Sequence, residues 1–97
     1  MPTFFRSTPF LQDWRGLTDE QKERFKAAVR EMVVDLRTRQ GFRPSLRIKR
    51  VQGTTGIFEM TWAPNGRATF EYGSEIHPGD PHIVWRRIGT HDIFKKP

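Results

Sequence analysis

The spacing of apolar residues divides the chain into a helical part and a strand part, with the change just after Gly41. Phe25, Ala28, Val29, Met32, Val33 and Leu36 recur at three- and four-residue intervals, which places them on one side of a helix. Lys22, Glu23, Lys26, Arg30, Glu31 and Arg37 fall on the other side. Acids and bases are mixed there, as on a helix with one face packed and one in water, not on a membrane- or partner-seeking amphipathic helix. Thr18-Asp-Glu-Gln21 supplies a capping box at its start, and Gly41 a stop at its end. A shorter helix is expected over Pro9–Arg15, with Thr8 as N-cap and Gly16 after it. Thr3 to Ser7 is short, apolar and aromatic, and reads as a first strand.

From Leu46 onward the period is two. Leu46 and Ile48 alternate with Arg47 and Lys49, Phe58, Met60 and Trp62 with Glu59 and Thr61, and Ala68, Phe70 and Tyr72 with Arg67, Thr69 and Glu71. Gly53 to Gly56 makes a turn. Pro64-Asn65-Gly66 is a hairpin connection, because Asn-Gly tolerates positive φ. Ser74 to Pro81 is a longer loop, and the last strand runs from His82 to Ile88. This order predicts an α+β fold: a small antiparallel sheet of about four strands, covered on one face by an N-terminal helical hairpin. Glu59, Thr61, Arg67, Thr69 and Glu71 would then face away from the helices, on an open polar sheet face available to a ligand.

Composition narrows the classes. The chain has 97 residues, enough for a single domain over 1–97 with one modest core. Its 8 Phe and 3 Trp build that core from a few large side chains. There is no cysteine, which excludes disulfides and thiolate metal sites. His77, His82 and His91 are not spaced as a metal site, so no metal and no small-molecule cofactor is expected. No apolar run approaches the ~20 residues that span a bilayer. Met1-Pro-Thr-Phe-Phe-Arg6 lacks the basic-then-apolar order of a signal peptide. A cytoplasmic location and no membrane partner are the expectation. Neither a glycine-rich phosphate loop nor a helix-turn-helix or RNA-recognition signature is present.

The net charge of +6 is confined to two segments. Residues 43–56 carry Arg43, Arg47, Lys49 and Arg50 with no acid; residues 82–97 carry Arg86, Arg87, Lys95 and Lys96 against Asp92. Brought together by the fold, the two make a patch fit for phosphates; kept apart, they make an ordinary basic surface.

The last sixteen residues are the richest in chemistry. The apolar run Ile83–Ile88 carries Arg86 and Arg87, stops at Gly89, and is followed by His91, Asp92, Phe94, Lys95 and Lys96. Arg86 and Arg87 are adjacent in a strand and so should point to opposite faces. One would face a ligand, and the other would cover the long helix or pair with an acid. Histidine is the one side chain whose ordinary pKa lies near neutrality, which suits His91 to proton transfer, with Asp92 to orient it; otherwise the two are polar residues of a terminal loop. Arg67 directly follows the Asn-Gly turn. It is either a fixed guanidinium that grips a phosphate on the open face or a surface partner of Glu59 or Glu71 across the strands. Lys49 and Arg50 close the first of the hairpin strands, as phosphate clamps or as solvated cations.

The order of these pieces resembles the RelE/ParE superfamily of type II toxin–antitoxin toxins. Gln12-Asp-Trp-Arg15 and the capped helix look like its N-terminal helical hairpin. Leu46-Arg-Ile-Lys49, Gly56 and Asn65-Gly66-Arg67-Ala-Thr-Phe look like its strands, and Arg86-Arg87-Ile-Gly89-Thr-His91-Asp92-Ile-Phe94 like its last strand and tail. The resemblance covers nearly the whole chain and implies a microbial toxin with a cognate antitoxin. Many members cleave mRNA at the ribosome without a metal; the ParE branch poisons DNA gyrase instead. In the nucleases a strand-borne Arg stabilises the scissile phosphate, which Arg67 matches, and a preceding Lys serves the RNA, which Lys49 matches. Several members end in a functional Tyr. Here the tail has Phe94, which can stack on a base but cannot transfer a proton. Some members carry a Glu before the lysine strand, where this chain has Leu46 and Arg47. General-base duty therefore falls to His91 with Asp92, while Arg50, Arg86, Arg87, Lys95 and Lys96 hold RNA. A member that binds RNA or antitoxin without catalysis is the further alternative.

Overall fold

The computed structural model describes all 97 residues. The elements in chain order are β1 (Thr3–Arg6), α1 (Thr8–Arg15), α2 (Asp19–Thr38), a 3₁₀ turn at Pro44–Leu46, β2 (Lys49–Arg50), β3 (Phe58–Ala63), β4 (Gly66–Gly73), β5 (His82–Gly89) and a 3₁₀ turn at His91–Lys95. The fold is α+β, with both helices N-terminal and packed on one face of the sheet. The sheet has five strands in the order β1-β5-β4-β3-β2. β2 to β5 form the expected antiparallel meander. β1 lies parallel to β5, with Thr3 opposite His82 and Arg6 opposite Trp85, so the sheet is mixed.

Ser7 turns the chain from β1 into α1. Its hydroxyl accepts from Phe10 N and donates to the Arg86 oxygen, and its amide donates to the Trp85 oxygen. Ser7, not Thr8, is therefore the N-cap, because only Ser7 reaches both the helix end and the sheet edge. α2 begins with the expected capping box: Gln21 N donates to Thr18 Oγ1, and Thr18 N to Gln21 Oε1. Its end differs from expectation. Arg39 takes the left-handed conformation at φ 57°, and Gly41 lies two residues beyond. A clamp fixes this end. Arg43 donates from its backbone N and its Nε to Asp35 Oδ2 at 2.9 and 3.0 Å, and from Nη2 to Oδ1 at 3.0 Å. These bonds hold the Asp35 carboxyl below its ordinary range and raise the Arg43 guanidinium.

The core is aromatic, as the composition implied. Trp85 lies 5.0 Å from Phe25 and 5.4 Å from Phe70 between ring centres, edge to face, and Phe10 joins at 6.1 Å. Such pairs add about 0.5–1.5 kcal/mol each beyond burial. Phe10, Met32, Met60, Ala68, Phe70 and Ile83 are fully buried. The inward-facing residues of β3 and β4 are those read from the period of two.

Two strand expectations are corrected. Leu46–Lys49 is not a continuous strand: Pro44 starts a 3₁₀ turn, Arg47 is left-handed at φ 49°, and only Lys49 and Arg50 pair with β3. Pro44 lacks an N–H for a ladder, and Leu46 reaches the core from the turn, which imitates strand alternation. The hairpin at Pro64-Asn65-Gly66 also works differently, since neither Asn65 nor Gly66 has positive φ. Trp62 is an extra residue in β3, opposite no partner between the Thr61–Arg67 and Ala63–Gly66 pairs. A Cβ on Gly66 would lie 2.6 Å from the Trp62 ring. Glycine is required there by the bulged indole and not by backbone dihedrals. Gly66→Ala is expected to destabilise the protein by about 1–3 kcal/mol, the usual cost of overpacking. Thermal unfolding measures this, and an unchanged midpoint would show that the indole can move aside.

Candidate nucleic-acid interface

β3, β4 and β5 set the site through their register. Thr61, Arg67 and Gly89 form one row across the sheet; Lys49, Glu59, Thr69 and Arg87 form the next. Directly opposed residues share a face, and Ala68 and Phe70 face the helices. Arg67, Thr69 and Glu71 therefore look away from the helices. Lys49 and Arg87 end the same row, three strand spacings or about 14 Å apart. The fold thus brings Lys49 of the first basic segment and Arg87 of the second to one face. Arg43 does not belong to it, since Asp35 and Glu31 hold it on α2. Arg50 pairs with Phe58, which turns it to the opposite side from Lys49. Lys49 and Arg50 are both exposed and form no ion pair.

Arg67 pairs with neither Glu59 nor Glu71. Its Nη1 donates to the backbone oxygens of Ala63, Pro64 and Gly66 at 3.3, 3.2 and 2.9 Å. One nitrogen thus pins the guanidinium over the β3–β4 turn, while Nε and Nη2 have no partner in the protein. Beside it Gly89 ends β5 and lets the chain fold back: a Cβ there would lie 3.0 Å from Ile93 Cγ2, and Ile93 is buried. The turn at His91–Lys95 thereby stands next to the Arg67 end of the sheet. Its N-cap Thr90 accepts from Asp92 N. His91 is exposed, and neither ring nitrogen is hydrogen-bonded. The imidazole packs edge-on against Phe94 at 5.4 Å, and no bond joins it to Asp92. Lys95 and Lys96 are exposed.

The Arg86–Arg87 pair departs from simple alternation. Thr69 pairs with Arg87 and Phe70 with Trp85, so Arg86 is the extra residue of a bulge in β5. Both guanidiniums consequently reach the same concave region on the sheet's outer face, of about 580 Å³ and also lined by Glu71, Val84 and Pro97. Each is held by an acid. Arg86 Nη1 donates to Glu71 Oε1 at 3.2 Å; Arg87 donates from Nε and Nη2 to the two Asp13 oxygens at 2.6 and 3.2 Å. Asp13 also accepts from Ile88 N at 3.1 Å, where β1 has already left the sheet. The Asp13 hydrogen bonds raise the Arg87 pKa. Removing this carboxylate strips a guanidinium and a strand amide at once. Asp13→Ala is expected to cost about 2–3 kcal/mol, read from the denaturant midpoint; a midpoint within error of wild type would show the pair to be dispensable.

The outer face is less open than the pattern implied. Thr69 is fully buried, the one polar residue in that class, because the segment Lys96–Pro97 lies across it. Sequence reasoning missed both this cover and the part of Asp13. The first follows from a turn closed by Ile93 on Gly89, and the second from a strand edge that exists only in the folded sheet.

No family model and no curated protein matches this chain. Solved structures do. A chain of the RelB–RelE antitoxin–toxin complex from Methanococcus jannaschii aligns with 16% identity over 94% of each chain, at a TM-score of 0.61. A chain of the DinJ–YafQ complex from E. coli aligns with 13% identity over 95% of this chain and 96% of that one, at 0.65. The YoeB/ParE toxin from Agrobacterium tumefaciens aligns with 11% identity over 92% and 98%, at 0.66. At such identities the likeness is one of fold. The chain has the fold of the RelE/ParE superfamily toxins.

Proposed function

We propose that this chain, folded as the RelE-, YafQ-, YoeB- and ParE-type toxins are, is the toxin of a type II toxin–antitoxin pair. In this reading it is a metal-free mRNA endoribonuclease that acts at the ribosome, blocks translation and is held inactive by a cognate antitoxin. Two of the similar structures are antitoxin–toxin complexes, which supports a protein partner of that kind. One observation supports the nuclease reading above the others: Arg67, with Nε and Nη2 free of protein partners, lies opposite Gly89, two residues before His91, whose ring nitrogens are also unbonded.

The mechanism uses these groups in sequence. A neutral His91 nitrogen takes the proton of a ribose 2′-hydroxyl, which attacks the adjacent phosphorus. Arg67 Nε and Nη2 bind the non-bridging oxygens as charge builds on them. The imidazolium, or water in its place, protonates the leaving 5′-oxygen. Phe94 braces the imidazole and offers a face for a base. Proton transfer is assigned to His91, with Asp92 unbonded to it. Lys49, Arg86, Arg87, Lys95 and Lys96 attract the RNA backbone, Lys49 from across the row, while Arg50 stands on the other face of β2.

The test is cleavage of an mRNA by purified protein, with and without translating ribosomes, beside Arg67→Ala and His91→Ala. Cuts present in the wild type and lost in both variants support the reading. Intact RNA in every arm overturns it, and gyrase inhibition becomes the activity to assay.

A further inference from the structure

Three donors of the outer face are spent on the protein's own backbone, and the geometry of that arrangement is that of an anion site. Thr69 Oγ1 and Arg86 Nε both donate to the Pro97 oxygen, at 3.1 and 3.0 Å. Arg87 Nη1 donates to the Lys96 oxygen at 3.2 Å. Oxygens of two consecutive residues are thus held by two guanidiniums and a hydroxyl, as two oxygens of a phosphate would be. We propose that Thr69, Arg86 and Arg87 form a phosphate subsite for the RNA backbone, occupied in the resting protein by the segment Lys96–Pro97, which must lift before RNA can enter. The subsite itself stands on this geometry; that the phosphate belongs to RNA rests on the function proposed above.

Three observations support the exchange. Thr69 is wholly buried beneath the segment, so lifting it exposes a hydroxyl and two N–H groups that need a new acceptor. A phosphate carries more charge and more acceptor oxygens than the two oxygens of the segment, so an incoming phosphate can meet all three donors again. The cover is lightly held: apart from these three bonds, its one recorded hydrogen bond is Lys96 N to the Ile93 oxygen. Glu71 and Asp13 flank the subsite, and each is already matched by one of the two arginines, so neither stands against an anion as a free charge. Thr69 lies two residues from Arg67 on the same face of β4. A strand held in the subsite therefore continues, within about 7 Å, to the guanidinium assigned to the reacting phosphate.

The native chain contains no cysteine, which makes a reversible lock clean. Thr69→Cys combined with Pro97→Cys would tether the segment when oxidised and free it when reduced. Binding is measured in both states with a 2′-O-methyl RNA oligonucleotide, which cannot be cleaved through its 2′ position, and with pyrophosphate. The reduced form is expected to bind each probe roughly tenfold or more tightly than the oxidised form, the worth of about one charge-assisted hydrogen bond. A second variant, Pro97→Gly, leaves the subsite and every cation intact and raises the entropic cost of docking the segment; it should bind pyrophosphate several-fold more tightly than wild type. Equal pyrophosphate affinity in the locked and free states, or in the loosened variant and wild type, overturns the inference. Pyrophosphate that distinguishes the states while RNA binds neither upholds the subsite and removes RNA as its ligand.

Discussion

Replacing Arg67 by Ala is expected to slow mRNA cleavage by about 10²–10³-fold, the usual loss on deleting one donor aimed at developing charge. The size follows from how this side chain is held. Nη1 spans three turn oxygens, so the fork does not have to be ordered when substrate binds, and Nε and Nη2 are left to meet the phosphate as a pair. Arg67→Lys keeps a positive charge but loses both the planar fork and the anchor, and should recover only a minor part of the rate. The anchor has a second consequence. Without it the β3–β4 turn loses hydrogen bonds worth about 1 kcal/mol in stability, so both variants are to be compared with wild type well below their unfolding midpoints. Single-turnover rates on one mRNA decide the matter. A folded Arg67→Ala protein that cuts at the wild-type rate would leave Arg67 as a turn brace and move the search for the phosphate donor to Arg86 and Arg87.

How far the chain could be read before folding differs by element. α2 was legible almost to the residue at its start, because a capping box and a six-residue apolar stripe are local signals. The inward residues of β3 and β4 were legible for the same reason. What failed depended on a partner distant in sequence. The parallel seat of β1 beside β5 joins residues about eighty positions apart. The bulge at Arg86 exists only in the ladder with β4, yet it decides that two adjacent arginines share a face. Gly66 looked like a dihedral requirement and is a steric one, set by an indole that bulges four residues earlier. The site divides in the same way. Arg67 and Lys49 could be placed by strand alternation and His91 by its place after Gly89; that Arg67 bonds turn oxygens and not Glu59 or Glu71 could not, since those carbonyls take their position only in the folded turn. The cover over Thr69 had no sequence signal beyond the small residue at Gly89.

The last prediction concerns the proton. His91→Ala is expected to reduce cleavage by about 10²–10⁴-fold, the ordinary contribution of a positioned general base. His91→Asn tests the chemistry apart from the shape, since it keeps a polar, planar side chain against Phe94 but transfers no proton, and it should be as slow as Ala. Phe94→Leu tests the bracing. The imidazole is hydrogen-bonded to nothing in the protein and packs on the ring 5.4 Å away, so removing that ring should lower the rate by a smaller factor than removing the imidazole. Added imidazole should restore part of the His91→Ala rate. A folded His91→Ala protein that cuts at the wild-type rate would rule out His91 as the base, which would then have to be sought outside the tail.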